Sequence, residues 1–118
     1  MFSPQLLNHF QQPRNVGELE QATARAEVEN PVCGDVLRLT VKIETGRIVA
    51  ARFRAQGCVA SIGCASLLTE MITGKQVEEA RQLIADDLVR ELGALPAGSS
   101  HAAQLAIDAL RTALSKQS

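Results

Sequence analysis

The sequence predicts an α+β domain. Three observations carry that prediction: apolar and polar residues alternate over positions 36–43, they alternate again over 49–55 beyond a glycine turn, and helical spacing prevails after Cys58. At 118 residues the chain is one domain's worth, able to bury roughly two thirds of its unfolded surface around one core.

Taken in order, Ser3-Pro4 offers an N-cap followed by proline at the first helical position, and Leu6, Leu7 and Phe10 recur at helical spacing behind it. Pro13-Arg14-Asn15-Val16-Gly17 stops this short helix, and residues 24–28 suit an edge strand. Leu37, Leu39, Val41 and Ile43 then alternate with Arg38, Thr40 and Lys42, as in a half-buried strand. Val49, Ala51, Phe53 and Ala55 repeat the pattern against Ala50, Arg52 and Arg54. Glu44-Thr45-Gly46 reads as a three-residue hairpin loop with Gly46 at its left-handed position. That loop pairs Ile43 with Arg47, Val41 with Val49, Leu39 with Ala51 and Leu37 with Phe53, whereas a slip of one residue would set Leu37 against Arg54 and Leu39 against Arg52.

Beyond the hairpin, Val59, Ile62, Leu67, Leu68, Met71 and Ile72 mark a helix from about Cys58 to Ile72, stopped at Gly74. Val77, Ala80, Leu83 and Ile84 mark another over residues 76–84, and a further short stretch through Leu88 and Leu92 ends at Gly93. After the loop Leu95-Pro96-Ala97-Gly98, Ser99 or Ser100 caps a helix reaching about Leu114, with Ala103, Ala106, Ile107, Leu110 and Leu114 as its apolar stripe and His101 in its first turn.

Composition narrows the function. Hydrophobic residues make up 46% and charged residues 21%, as in an ordinary soluble globular protein, and no apolar run reaches membrane-spanning length. A net charge of -1 gives no drive toward phosphate backbones, and Phe2, Phe10 and Phe53 are too few aromatics for a base-stacking platform, so nucleic acid is not an expected partner. Met1-Phe2-Ser3-Pro4-Gln5 lacks the basic and apolar regions of a signal peptide, which points to the cytoplasm. Three cysteines, Cys33, Cys58 and Cys64, are too few for a disulfide scaffold and stand there as thiols, metal ligands or core residues.

Continued past the strand ends, the predicted ladder brings Cys33 opposite Gly57, so Cys33 and Cys58 meet at the open end of the hairpin with Asp35 beside them. At a helix N-terminus Cys58 faces unpaired N–H groups and the positive end of the helix dipole, which suit a thiolate. His101, likewise in a first turn, is suited to serve as the neutral imidazole that ligates metals. Two thiolates, a carboxylate and an imidazole make a four-ligand set for zinc or iron. Six residues of helix advance about 9 Å and rotate by roughly 240°, so Cys64 should not share the ligand face of Cys58 and reads as core among Ile62, Leu67 and Leu68. Asp35 as a turn cap and His101 as a helix-end decoration are the alternatives for those two residues; Arg52 and Arg54 read as solvated, open to an acidic partner, and Phe53 as core.

Asn30-Pro31-Val32-Cys33-Gly34-Asp35, then Gln56-Gly57-Cys58 opening a small-residue helix into Ser66-Leu67-Leu68-Thr69-Glu70, resemble the IscU/NifU N-terminal type of iron-sulfur cluster assembly scaffold. His9-Phe10-x-x-Pro13-Arg14-Asn15-Val16-Gly17 does too, and the resemblance covers nearly all of residues 1–118. It implies a small antiparallel three-stranded sheet packed by several helices in one compact scaffold domain. The implied function is to assemble a transient [2Fe-2S] cluster, or hold iron, with sulfide from a cysteine desulfurase, for delivery to apo iron-sulfur proteins, without enzymatic turnover. The implied ligands are Cys33, Asp35 and Cys58, with His101 matching the family's histidine and Asp35 tuning lability. Where that family has a third Cys after the histidine, this chain has Ala102, and Ala97-Gly98-Ser99 replaces the Pro-Val-Lys that a dedicated chaperone recognises. The changed shell predicts weaker cluster retention, with a monomer or a weak dimer bridging one cluster through Cys33 and Cys58 of each copy. Two other classes stay open: an interaction module with a structural zinc or no metal, and a sulfur-transfer protein using Cys58.

Overall fold

A computed structural model describes residues 2–31, 34–96 and 99–115. Helix α1 (Pro4–Gln11) starts as expected, with the Ser3 hydroxyl accepting the Leu6 N–H at 3.0 Å and Pro4 in the first turn. Its inner face differs from the predicted stripe: Leu6 and His9 are buried, whereas Leu7 and Phe10 are only half-buried.

Strands β1 (Ala24–Glu29), β2 (Val36–Glu44) and β3 (Arg47–Gln56) form an antiparallel sheet in the order β1-β2-β3. The hairpin register departs from the predicted one. Glu44 pairs with Arg47, leaving a two-residue loop in which Thr45 and Gly46 both have positive φ, 54° and 77°, the mirror-image turn whose twist matches that of the strands. Shortening the loop alone would produce the unfavourable one-residue slip. A bulge cancels it: Ile43 faces Ile48, Lys42 faces Ala50, and Val49 is left without an opposite residue. Val41 then faces Ala51, Leu39 faces Phe53 and Leu37 faces Ala55. Two one-residue changes preserve the buried face while moving the pairs beyond the bulge by two and that of Ile43 by one. Val49, expected inside, is 40% exposed, and Ile48 takes the core position.

Thr40, expected on the polar face, is buried because the chain entering the sheet crosses it, Leu19 N–H donating to Thr40 Oγ1 at 3.1 Å. The outer edge of β3 is also covered. Phe53 exchanges backbone bonds with Asn15 and Gly17 at 2.9 and 2.8 Å, and Ile48 with Gly74 and Lys75 at 2.7 and 2.9 Å, so no long strand edge invites another chain there. Arg38, Arg52 and Arg54 stand exposed on the far face of the sheet.

Helix α2 (Val59–Ile72) lies against α1 and β3, buried on almost every side. Its small residues allow the close approach: a Cβ on Gly63 would fall 2.3 Å from Leu6 Cδ1. The helix predicted over 76–84 ends early, and the further stretch predicted through Leu88 and Leu92 forms. Helix α3 (Val77–Ala80) is one turn, and Asp87 accepts the Ile84 N–H at 2.9 Å to start α4 (Ala85–Leu92), so Ile84 becomes a 46% exposed cap. Gly93, at φ 85°, ends α4 as predicted. Helix α5 (Ser100–Ser115) buries Ala103, Ala106, Ile107, Leu110 and Leu114 against β1, β2 and α2. Among the described residues no helix is long and apolar enough to cross a membrane.

Candidate metal centre

The β1–β2 connection closes on itself. Asn30 N–H donates to the Asp35 carbonyl at 2.8 Å and Gly34 N–H to the Asn30 carbonyl at 2.7 Å, with Gly34 at φ 76°, a conformation glycine adopts without penalty. Asp35 emerges one residue before β2. The ladder ends at Val36 opposite Gln56, so its next step sets Asp35 beside Gly57. Contact there is close: a Cβ on Gly57 would lie 2.6 Å from both Cγ and Oδ1 of Asp35. The predicted meeting of Cys33 with Cys58 falls outside the described residues, since Cys33 is not among them.

Gly57 leads into Cys58, the N-cap of α2, whose exposed thiol makes no cap bond. Its Sγ donates to Asp35 Oδ2 at 3.6 Å and lies 3.4 Å from Ser61 Oγ. From the opposite side α5 delivers His101, with Nε2 3.7 Å from the same Asp35 oxygen. One ligand atom from each of Asp35, Cys58 and His101 lies within 4.8 Å of the others. Donors bound 2.0–2.3 Å from a tetrahedral metal are roughly 3.3–3.8 Å apart, so the two separations at Asp35 Oδ2 match the edge of such a site. The carboxylate forms its floor, its side chain 8% exposed, with the imidazole at 29% on the rim and the thiol at the mouth. Sulfur, oxygen and nitrogen together suit iron or zinc better than calcium or magnesium.

Ser61 was not singled out in the sequence. Its hydroxyl, buried in the first turn of α2, donates to Asp35 Oδ2 at 2.5 Å. The available signal was spacing alone, since a residue three after Cys58 in a helix shares its face.

Cys64 is not brought to this group. It is fully buried, and burial pushes its thiol up to about 12, with the nearby Cys58 adding to the shift. The histidine-to-glycine motif of residues 9–17 also lies elsewhere, tying α1 to α2. His9 Nδ1 is 2.8 Å from Ser66 Oγ and its Nε2 is 3.5 Å from Glu70 Oε1; Arg14 N–H donates to Ser66 Oγ at 2.9 Å, and Asn15 Nδ2 to Thr69 Oγ1 at 3.1 Å. Burial first, and the Arg14 charge second, lower the pKa of His9 against a smaller opposing pull from Glu70.

The family model described as the NifU-like N terminal domain matches residues 1–118. The chain is 43% identical over 114 residues to the iron-sulfur cluster assembly scaffold protein IscU 1 of Archaeoglobus fulgidus, covering 97% of this chain and 74% of that one. It is 38% identical over 118 residues to the iron-sulfur cluster assembly enzyme IscU of Drosophila melanogaster, covering 97% of this chain and 76% of the other. In three dimensions it is similar to the putative iron-sulfur cluster assembly scaffold protein for the SUF system from Fervidobacterium islandicum AW-1, with TM-score 0.79, 19% identity and 96% of each chain covered, a likeness of fold.

Proposed function

Because the chain belongs to the NifU-like N-terminal domain family, we propose that it is a scaffold that holds iron and sulfide as a transient cluster, [2Fe-2S] in kind, and yields it to apo iron-sulfur proteins. The convergence of Asp35, Cys58 and His101 on one small volume carries this reading. Cys33, two residues before Asp35 in sequence, completes the ligand set we assign. Sulfur would come from a cysteine desulfurase, with exposed Cys58 as its acceptor and buried Cys64 excluded. A cytoplasmic address, whose reducing conditions keep thiols free to ligate, suits this role.

Each ligand has a distinct part. Cys58 supplies the soft donor that iron favours, at the mouth where cargo enters and leaves. Asp35 and His101 are harder donors than the thiolates usual for clusters, so cargo is released more readily than from an all-thiolate shell. With Ala102 after His101, no thiolate stands there to slow that release. The chain acts as a platform for assembly, without turnover of a substrate of its own.

Anaerobic reconstitution with iron and sulfide tests this. Wild type should gain visible absorption that Cys33→Ala, Cys58→Ala and Asp35→Ala each diminish, and a chelator should bleach it faster than it bleaches a three-thiolate relative. A colourless protein carrying one zinc per chain would replace the cluster reading with a zinc-holding one, which the tetrahedral separations at Asp35 favour as the second reading.

A further inference from the structure

We propose that Ser61 is a positioning residue for this site, acting on bound metal through Asp35; the inference rests on the metal-holding reading above. Ser61 is only 4% exposed. A serine within a helix commonly turns its hydroxyl back to the preceding turn. Here the O–H crosses to another element and donates to Asp35 Oδ2 at 2.5 Å. That oxygen is the one lying 3.6 Å from Cys58 Sγ and 3.7 Å from His101 Nε2, so Ser61 anchors the atom that would meet the metal. A carboxylate oxygen has two lone pairs: one accepts the Ser61 hydroxyl, and the one that accepts the Cys58 thiol is freed for coordination when that thiol loses its proton to ligate.

The carboxylate is gripped from both sides. Toward Oδ1 the Gly57 backbone approaches so closely that even a Cβ would lie 2.6 Å away. Toward Oδ2 stands the Ser61 hydroxyl, which is also 3.4 Å from Cys58 Sγ. The grip holds Asp35 at the distance from Cys58 and His101 that a tetrahedral ion requires, before any ion arrives. Without the hydroxyl, Asp35 is free to swing, and binding must first re-order it.

Cobalt(II) added to the 118-residue chain is the probe, read by its thiolate-to-metal charge-transfer and ligand-field absorption. Ser61→Ala should weaken cobalt binding roughly tenfold or more. Its charge-transfer band per bound ion should persist, since Cys58 still ligates, while the ligand-field bands shift. In an Asp35→Ala background the same substitution should change affinity by less than about twofold, because its route to the metal is already gone. Ser61→Thr should bind like wild type and Ser61→Val, its near-isostere without the hydroxyl, should bind like Ser61→Ala; this pair decides the matter if Ser61→Ala does not fold. Equal losses in the wild-type and Asp35→Ala backgrounds, or Thr and Val variants that bind alike, overturn the role of Ser61. A wild-type chain that takes up no cobalt overturns the metal-holding reading itself, and the Ser61 role with it.

Discussion

Cys58 caps α2 and Cys64 lies in its second turn, yet the first is exposed and the second has no accessible surface. Reactivity follows the thiolate, and burial pushes the Cys64 thiol up to about 12, so at neutral pH almost none of it is ionised. Iodoacetamide on the native protein at neutral pH is expected to alkylate Cys58 and spare Cys64 until denaturant is added, as peptide mass mapping would report. Comparable labelling of both in the native state would contradict the burial described for Cys64. That contrast was readable beforehand, because helical rotation over six residues turns Cys64 off the Cys58 face. The neighbourhood of Asp35 and Cys58 was readable too, from a hairpin whose open end must join the start of a helix. The place of His101 was not: that contact spans the whole fold, and a first-turn position with a resemblance of motifs suggests a ligand without locating it. Ser61 escaped for a different reason. A serine among alanines and glycines looks like packing until a carboxylate from the β1–β2 connection is known to face it.

Between elements, the tightest constraint is where α1 crosses α2. Gly63 leaves no room for a side chain, since its Cβ would press to 2.3 Å from Leu6 Cδ1 and 3.4 Å from the Leu6 carbonyl. Leu6 is itself fully buried and has nowhere to retreat. Gly63→Ala should therefore push α1 outward and cost about 1–3 kcal/mol, the usual price of overpacking, despite the better helix propensity of alanine. Urea unfolding would measure it, and an unchanged or raised midpoint would show that the two helices separate freely. The hairpin shows what alternation can and cannot reveal at this scale. Face was legible because charge opposite Leu37 or Leu39 is costly, but pairing was not, because a shorter loop and a bulge at Val49 together preserve parity. The early end of α3 is hidden similarly: Leu83 and Ile84 continue the apolar spacing, and only Asp87 reaching back to the Ile84 N–H marks Ile84 as the cap of the next helix.

At the scale of the molecule, residues 9–17 join its two layers. His9 and Arg14 hold Ser66 and Glu70 of α2, while Asn15 and Gly17 carry the same segment onto Phe53 of β3. A change at His9 should thus register in unfolding of the whole domain rather than in fraying of one helix. Burial and Arg14 hold the pKa of His9 below its ordinary 6.5, so the folded protein resists a proton that the unfolded chain accepts. This contribution to stability is fully present above the unfolded value of 6.5, diminishes as pH falls through 6.5 toward the lower folded value, and is gone below it. Urea midpoints taken from about pH 8 down to about pH 5.5, above most carboxylate titration, should fall more steeply for wild type than for His9→Gln, which can still hydrogen-bond Ser66 but takes up no proton. The difference between the two curves removes the background common to both proteins. Parallel curves would mean that His9 titrates alike in both states, and that the link between helix layer and sheet does not depend on its being uncharged.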